Sequence, residues 1–260
     1  MFAEKRQEKI AEILKEKSSI KVSKLSNIFN VSESTIRRDL QDMEQNGLLT
    51  RTHGGAIPVK KTNFEPTFEE KEDRKHYEKA DIGGVATSLI ENNDTIILDS
   101  GTTTLEIAKN IKAKNVTVIT NSLDIALELS NKEDIELIIA GGTLRKVTRA
   151  MVGYLTEATL RNFRVDKAFI GANGISVEEG ITTPNFTEAQ SKKAMMNVAN
   201  KVFVVADSSK FNEVSFSVIS PIRAVTAIIT NIDLDKAVIK DFQEAGVEII
   251  TAIDKEYLQA

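Results

Sequence analysis

VSKLSNIFNVSESTIRRDLQDMEQNGLLTRTHGGA runs from Val22 to Ala56, and its apolar residues fall into two helical sets. Val22, Leu25, Ile28 and Phe29 repeat at i, i+3 spacing, Asn30 and Val31 interrupt them, and Ile36, Leu40 and Met43 resume the stripe. Ser32 stands just before the second set, where its hydroxyl can accept from an unsatisfied backbone N–H of the first turn. Asn46-Gly47 closes that set, as a C-cap pair does. Upstream, Ile10, Ile13 and Leu14 mark an earlier amphipathic helix, and downstream LLTRTHGGAIPV places two short apolar runs around His53-Gly54-Gly55. Glycines accept the backbone angles of a tight hairpin. Helices joined by a turn of three or four residues and followed by a hairpin predict a winged helix-turn-helix.

With Ile36 turned to the core, Ser34, Arg37, Arg38 and Gln41 fall on the opposite side of the third helix, with Thr35 on a flank. A helix in the major groove needs such a set. Arginine can bond guanine through two N–H groups, Gln can bond adenine likewise, and short hydroxyls reach phosphates or bases. The competing reading is a solvated helix whose arginines pair with Asp39, Asp42 or Glu44. Turn, N-cap, wing and local charge together favour DNA.

That charge is hidden in the whole-chain balance of −4. Residues 1–62 hold 12 Lys/Arg against 8 Asp/Glu, and the remaining residues hold 22 against 30. A basic head on an acidic body suits a polyanion-binding module joined to a second domain. The absence of cysteine removes disulfides and thiolate chemistry and fits a reducing, cytoplasmic setting. Two histidines, His53 and His76, leave little for a His-based metal centre or a Ser–His–Asp triad, so neither metal nor cofactor is expected. MFAEKRQEKI alternates charges and does not read as a signal peptide, and no apolar run approaches the ~20 residues of a membrane span.

The head is assigned to residues 1–60 and a charge-dense linker to 61–75, with the body over 76–260. Ile82, Val85, Ala86, Leu89 and Ile90 give the body a first helix with a buried face. Seven β-branched apolar runs then alternate with helical stretches: TIIL (95–98), VTVIT (116–120), ELIIA (136–140), KAFI (167–170), VFVVA (202–206), AVTAIIT (224–230) and VEIIT (247–251). This alternation predicts a largely parallel sheet covered by helices, so the chain combines an α+β head with an α/β body. Ligands bind such sheets beyond the carboxyl ends of the strands. The segments there are polar or Gly-rich: Asp99-Ser100-Gly101-Thr102-Thr103-Thr104, Asn121-Ser122, Gly141-Gly142-Thr143, Gly171–Gly174 and Asp207–Lys210. Hydroxyls and N–H groups at helix N-termini suit a phosphate. Lys210 adds a positive charge, and Asp99 and Asp207 can accept from sugar hydroxyls. There is no Walker loop.

The stretch from Val22 to Ala56 resembles the N-terminal signature of the DeoR family of bacterial transcription regulators. The resemblance places Ser34, Thr35, Arg37 and Arg38 in the recognition helix and His53 with Gly54 in the wing, with Arg51 as a phosphate contact. DSGTTT, TNS, AGG, VDKAFIGANGI and ADSSKF resemble the sensor domain of the same family, so the likeness covers nearly the whole chain. It implies a fold similar to ribose-5-phosphate isomerases and CoA transferases and a phosphorylated sugar as effector. The implied effector contacts are Asp99 to Thr104, Asn121, Ser122, Gly141, Gly142, Asp207 and Lys210. Lys79, Glu188 and Lys192 join them from the EKADIG and TEAQSKKAM segments. GITTP and SFS look most like repressors of fructose-utilisation operons, for which the effector is expected to be fructose 1-phosphate. Asn212 stands where the family often has Gly after SSKF, and Asn also tolerates the left-handed conformation.

The resulting expectation is a non-enzymatic repressor, paired through its bodies into a homo-oligomer and presenting its recognition helices to repeated operator half-sites. The alternative is a sugar-phosphate isomerase or transferase with an accessory head. Asp99, Asp207, Glu188 and Lys210 could supply its acid and base. An isomerase, however, has no need of a helix-turn-helix.

Overall fold

The computed structural model describes residues 2–16, 20–52, 54–58 and 62–251. The chain divides into two compact units, residues 1–61 and 62–260. His53 lies outside the described residues.

The first unit is built from α1 (Ala3–Glu16), β1 (Ile20–Lys21), α2 (Val22–Phe29), α3 (Glu33–Gln45), β2 (Leu49–Thr52) and β3 (Gly55–Pro58). Asn30 ends α2 in the left-handed conformation, and the Ser32 side chain caps α3 by accepting from the Thr35 N–H. Gly47, at φ +67°, closes α3. Its N–H donates to the Glu44 carbonyl and that of Leu48 to the Met43 carbonyl, which is a Schellman ending. Ile10, Leu14, Leu25, Ile36, Leu40, Met43 and Leu49 meet in one small core. The hairpin pairs β2 with β3 and also recruits β1, a two-residue strand that no apolar pattern announces. Gly55 is fixed by that third strand, because a Cβ there would lie 2.0 Å from the Ile20 carbonyl oxygen.

A charged pair sits inside this small unit. Arg6 of α1 reaches Asp39 of α3 with Nε to Oδ2 at 2.5 Å and a second guanidinium nitrogen to Oδ1 at 2.9 Å. Both side chains are buried. Asp39 is therefore committed to α1, and the fork sets the rotation of α3.

The second unit contains α4 (Phe68–Glu72), α5 (His76–Ser88), β4 (Thr95–Leu98), α6 (Thr102–Asn110), β5 (Val116–Thr120), α7 (Leu123–Leu129), β6 (Ile135–Ile139), β7 (Thr143–Arg145), β8 (Ala150–Val152), α8 (Tyr154–Leu160), β9 (Val165–Gly171), β10 (Gly174–Ser176), β11 (Gly180–Thr183), α9 (Phe186–Asn197), β12 (Ala199–Val205), β13 (Ser217–Ser220), β14 (Ala227–Thr230), α10 (Lys236–Glu244) and β15 (Glu248–Thr251). All seven apolar runs of the sequence enter one sheet, in the order β15-β14-β12-β9-β4-β5-β6, and every neighbouring pair is parallel. Side chains alternate across it. Ile96, Leu98, Val118, Phe169, Phe203 and Val205 pack with residues of α5 to α7, whereas Ile97, Ile119, Ala168, Ile170 and Val204 pack with α8 to α10. Two antiparallel additions lie outside the sequence expectation, a β7–β8 hairpin and a β10-β11-β13 sheet. The stretch between the units also carries structure: α4 has a capping box at Thr67–Glu70, and Phe68 is buried in the body's core. Asn212 does take the left-handed conformation, at φ +57°.

The strand order explains where a ligand can enter. From β4 the chain proceeds outward to β5 and β6, then returns to β9 on the other side of β4 and proceeds to β12, β14 and β15. The helices of the two halves pack on opposite faces of the sheet, and the place that such a reversal offers a ligand lies between the loops after β4 and β9.

The Arg6–Asp39 pair yields a stability prediction. Asp39→Ala strands a buried guanidinium and should cost about 3 kcal/mol. The double variant Arg6→Met/Asp39→Leu, which replaces both charges with apolar groups, should recover most of that loss. Urea unfolding of the full-length chain, read through amide exchange in α1 and α3, compares the two. Equal destabilisation by the single and double variants would contradict a buried pair.

Candidate functional site: an exposed recognition helix and a polar crevice at the sheet edge

On the first unit, α3 buries Ile36, Asp39, Leu40 and Met43 and exposes Ser34, Arg37, Arg38 and Gln41, with Thr35 intermediate. Arg37 makes a half-exposed i, i+4 pair with Glu33 at 3.3 Å, worth only a few tenths of a kcal/mol. Arg38 has no partner among the described residues. Of the carboxylates that could have neutralised the two arginines, Asp39 is held by Arg6. Glu44 faces the hairpin, accepting from the Arg51 N–H at 2.8 Å and lying 3.8 Å from its guanidinium. The Ser32 hydroxyl is shared with those of Ser34 and Thr35, each at 2.8 Å, so its first task is the cap. Gly54 is exposed in the wing turn, and its carbonyl accepts from the Val22 N–H.

On the second unit, the crevice is organised around Asp99, which ends β4. The carboxylate is buried, and its Oδ2 accepts from the Gly171 N–H at the end of β9 at 2.9 Å and from Lys192 Nζ of α9. Lys192 also donates to the Gly171 carbonyl at 3.1 Å. Burial pushes the Asp99 pKa up, and the nearby Lys192 charge opposes this. Its second oxygen, Oδ1, is buried without a hydrogen-bond partner among the described residues. The Ser100 N–H donates to Asn121 Oδ1 at 3.1 Å, and Asn121 Nδ2 donates to the Met151 carbonyl at 2.8 Å. Gly101 starts α6 with no side-chain cap, so Thr102 and Thr103 present first-turn N–H groups without one.

Glu188, also buried, lies beside this cluster. It accepts from Thr148 Oγ1 and from Arg145 Nη1, the latter at 2.6 Å. Burial would raise its pKa, but Lys192, Thr148 and Arg145 together hold it below the usual carboxylate value. One strand over, Asp207 follows β12 and accepts from the Ser209 N–H at 3.0 Å. The Ser208 N–H donates to Asn231 Oδ1 at 2.8 Å. Lys79 of α5 donates to the Lys71 carbonyl. Burial lowers its pKa, and the charges it feels are Asp207, Lys210, Glu106 and Glu72, which sets it in the Asp207–Lys210 group.

Not every expected residue opens onto the crevice. The Thr104 hydroxyl is fully buried and bonded to the Asp99 and Gly101 carbonyls. Ser122 is fully buried and caps α7 through Ile125. Gly142 has a packing reason of its own, because a Cβ there would lie 2.2 Å from Thr156 Oγ1. Gly141 is exposed and offers its carbonyl to Thr156.

Sequence reading missed Arg145, Thr148, Glu65 and Asn231. A signal existed for Asn231: Thr-Asn follows β14 as it follows β5, and each Asn holds the Ser N–H of an Asp-Ser pair on the neighbouring strand. No comparable signal marks Arg145 or Glu65, whose contact spans 80 residues. A cavity of ≈ 730 Å³ lies elsewhere, at the C-terminal ends of α5 and α6, lined by residues that include Thr87, Glu91, Asn110 and Lys112. Among the described residues no helix is long and apolar enough to cross a membrane, and no group of three His, Cys, Asp or Glu could hold a metal.

Comparison with known proteins agrees with this division. Residues 6–62 match the DeoR-like helix-turn-helix domain and residues 74–232 the DeoR C-terminal sensor domain. The chain is 39% identical over 249 residues to the uncharacterized HTH-type regulator YulB of Bacillus subtilis, covering 96% of each. It is 36% identical to the uncharacterized HTH-type regulator FruR of the same organism, covering 95% of this chain and 98% of that one. The lactose phosphotransferase system repressor of Lactococcus lactis is 35% identical, with 94% and 97% covered. A solved ribose 5-phosphate isomerase A of Methanocaldococcus jannaschii matches 51% of this chain and 53% of its own, with 19% identity and a TM-score of 0.37. An exposed recognition helix with a wing, joined to a seven-stranded parallel sensor sheet, belongs here to the DeoR family of transcriptional regulators.

Proposed function

We propose that this chain represses a sugar-catabolism operon, binding double-stranded operator DNA through α3 and the wing and leaving it when a phosphorylated sugar, fructose 1-phosphate foremost, enters the crevice of the second unit. The observation that carries the effector half is Asp99 Oδ1, a buried acceptor without a partner among the described residues, at the point where the strand order reverses. A buried carboxylate oxygen left unpaired is unfavourable, and a sugar hydroxyl would satisfy it. The uncapped start of α6 and Lys210 suit the phosphate. Relatives named as repressors of the lactose phosphotransferase system and of an aga operon support sugar control. The chain works as a homo-oligomer, since paired heads match paired half-sites. It acts by binding and does not turn its sugar over. Measured turnover of aldose or ketose phosphates at an enzyme's rate would overturn that part of the reading.

On α3 the two arginines divide the work. Arg38, without a partner among the described residues, reads a base, and Arg37, tethered to Glu33, holds a phosphate. Against a duplex selected by the wild-type chain from a random-sequence pool, Arg38→Ala should cost about 1–3 kcal/mol and relax preference at one base pair. Arg37→Ala should weaken all sequences alike and lower the salt slope by about one. Fluorescence anisotropy across a salt series separates these outcomes, and exchanged phenotypes would reverse the assignment.

The crevice is tested by release. Lys210→Ala should keep the affinity for the selected duplex and lose release by fructose 1-phosphate, and normal release would remove Lys210 from the anion site. A thermal-shift screen of phosphorylated sugars identifies the effector, with stabilisation of about 2.7 kcal/mol expected at a hundredfold excess over Kd.

A further inference from the structure

We infer that Arg145 is a ligand of the effector's anionic group and that, with the crevice empty, the same side chain fastens the segment that leads out of the DNA-binding unit. The inference rests on reading the Asp99 crevice as the effector site.

Arg145 ends β7, and its Nη1 faces three acceptors: Glu188 Oε1 at 2.6 Å, Glu65 Oε2 at 2.9 Å and Thr148 Oγ1 at 3.3 Å. That nitrogen carries two hydrogens, so the three bonds cannot all be made at once. Its Nε and Nη2 have no acceptor among the described residues, and the side chain is 21% exposed. A planar fork with spare donors, in contact with the Glu188–Lys192–Asp99 cluster, is suited to a phosphate or carboxylate.

Glu65 is the other half of the device. Its carboxylate is buried, held by Arg145 and by Lys71 Nζ at 3.2 Å. It belongs to residues 64–67, which have no regular secondary structure and begin three residues after the first unit ends. Nearby, the Phe68 N–H donates to the Val147 carbonyl at 2.8 Å, and Arg149 lies over the Phe68 ring and pairs with Glu69. The β7–β8 turn thus grips the connector on one side and Glu188 on the other. An anion held on the free Nε and Nη2 edge shares the guanidinium's charge with Glu65 on Nη1 and so weakens the Glu65 bond. Loss of Glu65 loosens the connector, and operator DNA, which favours the fastened state, is bound less tightly.

The test uses the full-length chain and two variants, each checked for folding by far-ultraviolet circular dichroism. Glu65→Gln removes the competing charge and keeps the shape. Without ligand it should speed amide exchange over residues 65–75 about tenfold and weaken binding to the selected duplex about tenfold, while fructose 1-phosphate binds severalfold more tightly. Arg145→Lys keeps the charge but not the fork, and should show the same exchange and duplex effects with weaker sugar-phosphate binding. If exchange and duplex affinity stay within twofold of wild type in both variants, Arg145 does not fasten the connector and the inference falls. If wild type binds no phosphorylated sugar, the effector reading falls instead, and the two ligand-free measurements still decide whether Arg145 holds the connector.

Discussion

The seam between β4 and β9 is the constraint on which the sensor unit depends. These two strands are neighbours in space, yet β5, β6, a hairpin and three helices separate them in sequence, so no single crossover holds them together. Side chains do it at both ends. At the amino end Lys167 Nζ meets Asp94 Oδ2 at 2.5 Å, and the Thr95 N–H donates to Asp166 at 2.9 Å. At the carboxyl end Asp99 receives the Gly171 N–H and Lys192. Between them Ile97 pairs with Ala168 and Leu98 with Phe169, whose ring stacks on Phe203 of the next strand. The reversal of strand order at this seam opens the crevice, and the charges that close the seam at its carboxyl end are those that line the crevice.

The head solves a related problem with fewer residues. Its core holds few large side chains, and the α1–α3 contact is completed by a charged fork. A buried pair adds little net stability over an apolar contact of equal volume, but it tolerates little rotation. Asp39 is the residue after Arg38, so fixing its direction also fixes the opposite, exposed face of α3. The pair thereby removes one carboxylate that could have neutralised the arginines and turns them outward.

Much of this was legible in the sequence because its causes are local. The Ser32 cap, the Asn46-Gly47 ending and the stripe of Ile36, Leu40 and Met43 depend on neighbours within one or two turns. The seven strands were marked by β-branched runs, and the loops beyond them by small polar residues. What escaped depends on contacts across long separations. Arg6 reads as one charge among many on α1 until Asp39 meets it 33 residues later. Strand β1 exists because β3 returns to it, and β11 finds β13 only across α9 and β12. The stretch from 61 to 75 looked like a linker by composition, whereas Phe68 and Glu65 find their partners 79 and 80 residues further on.

Charge balance then limits how a ligand can act on the crevice. The buried carboxylates of Asp99, Glu188 and Glu65 are set against Lys192, Arg145 and the partly buried Lys71, so this cluster is close to neutral. For the proposed sugar-phosphate effector, binding means sharing cations that carboxylates already hold. Asp99 is anchored on β4 by the Gly171 N–H, and Glu188 sits in α9, where Lys192 and Thr148 would still serve it. Glu65 rests on a stretch without helix or strand hydrogen bonds, so its displacement disturbs the least structure. Of the three, it is the carboxylate whose loss the fold can absorb, and it is also the one nearest in sequence to the DNA-binding head.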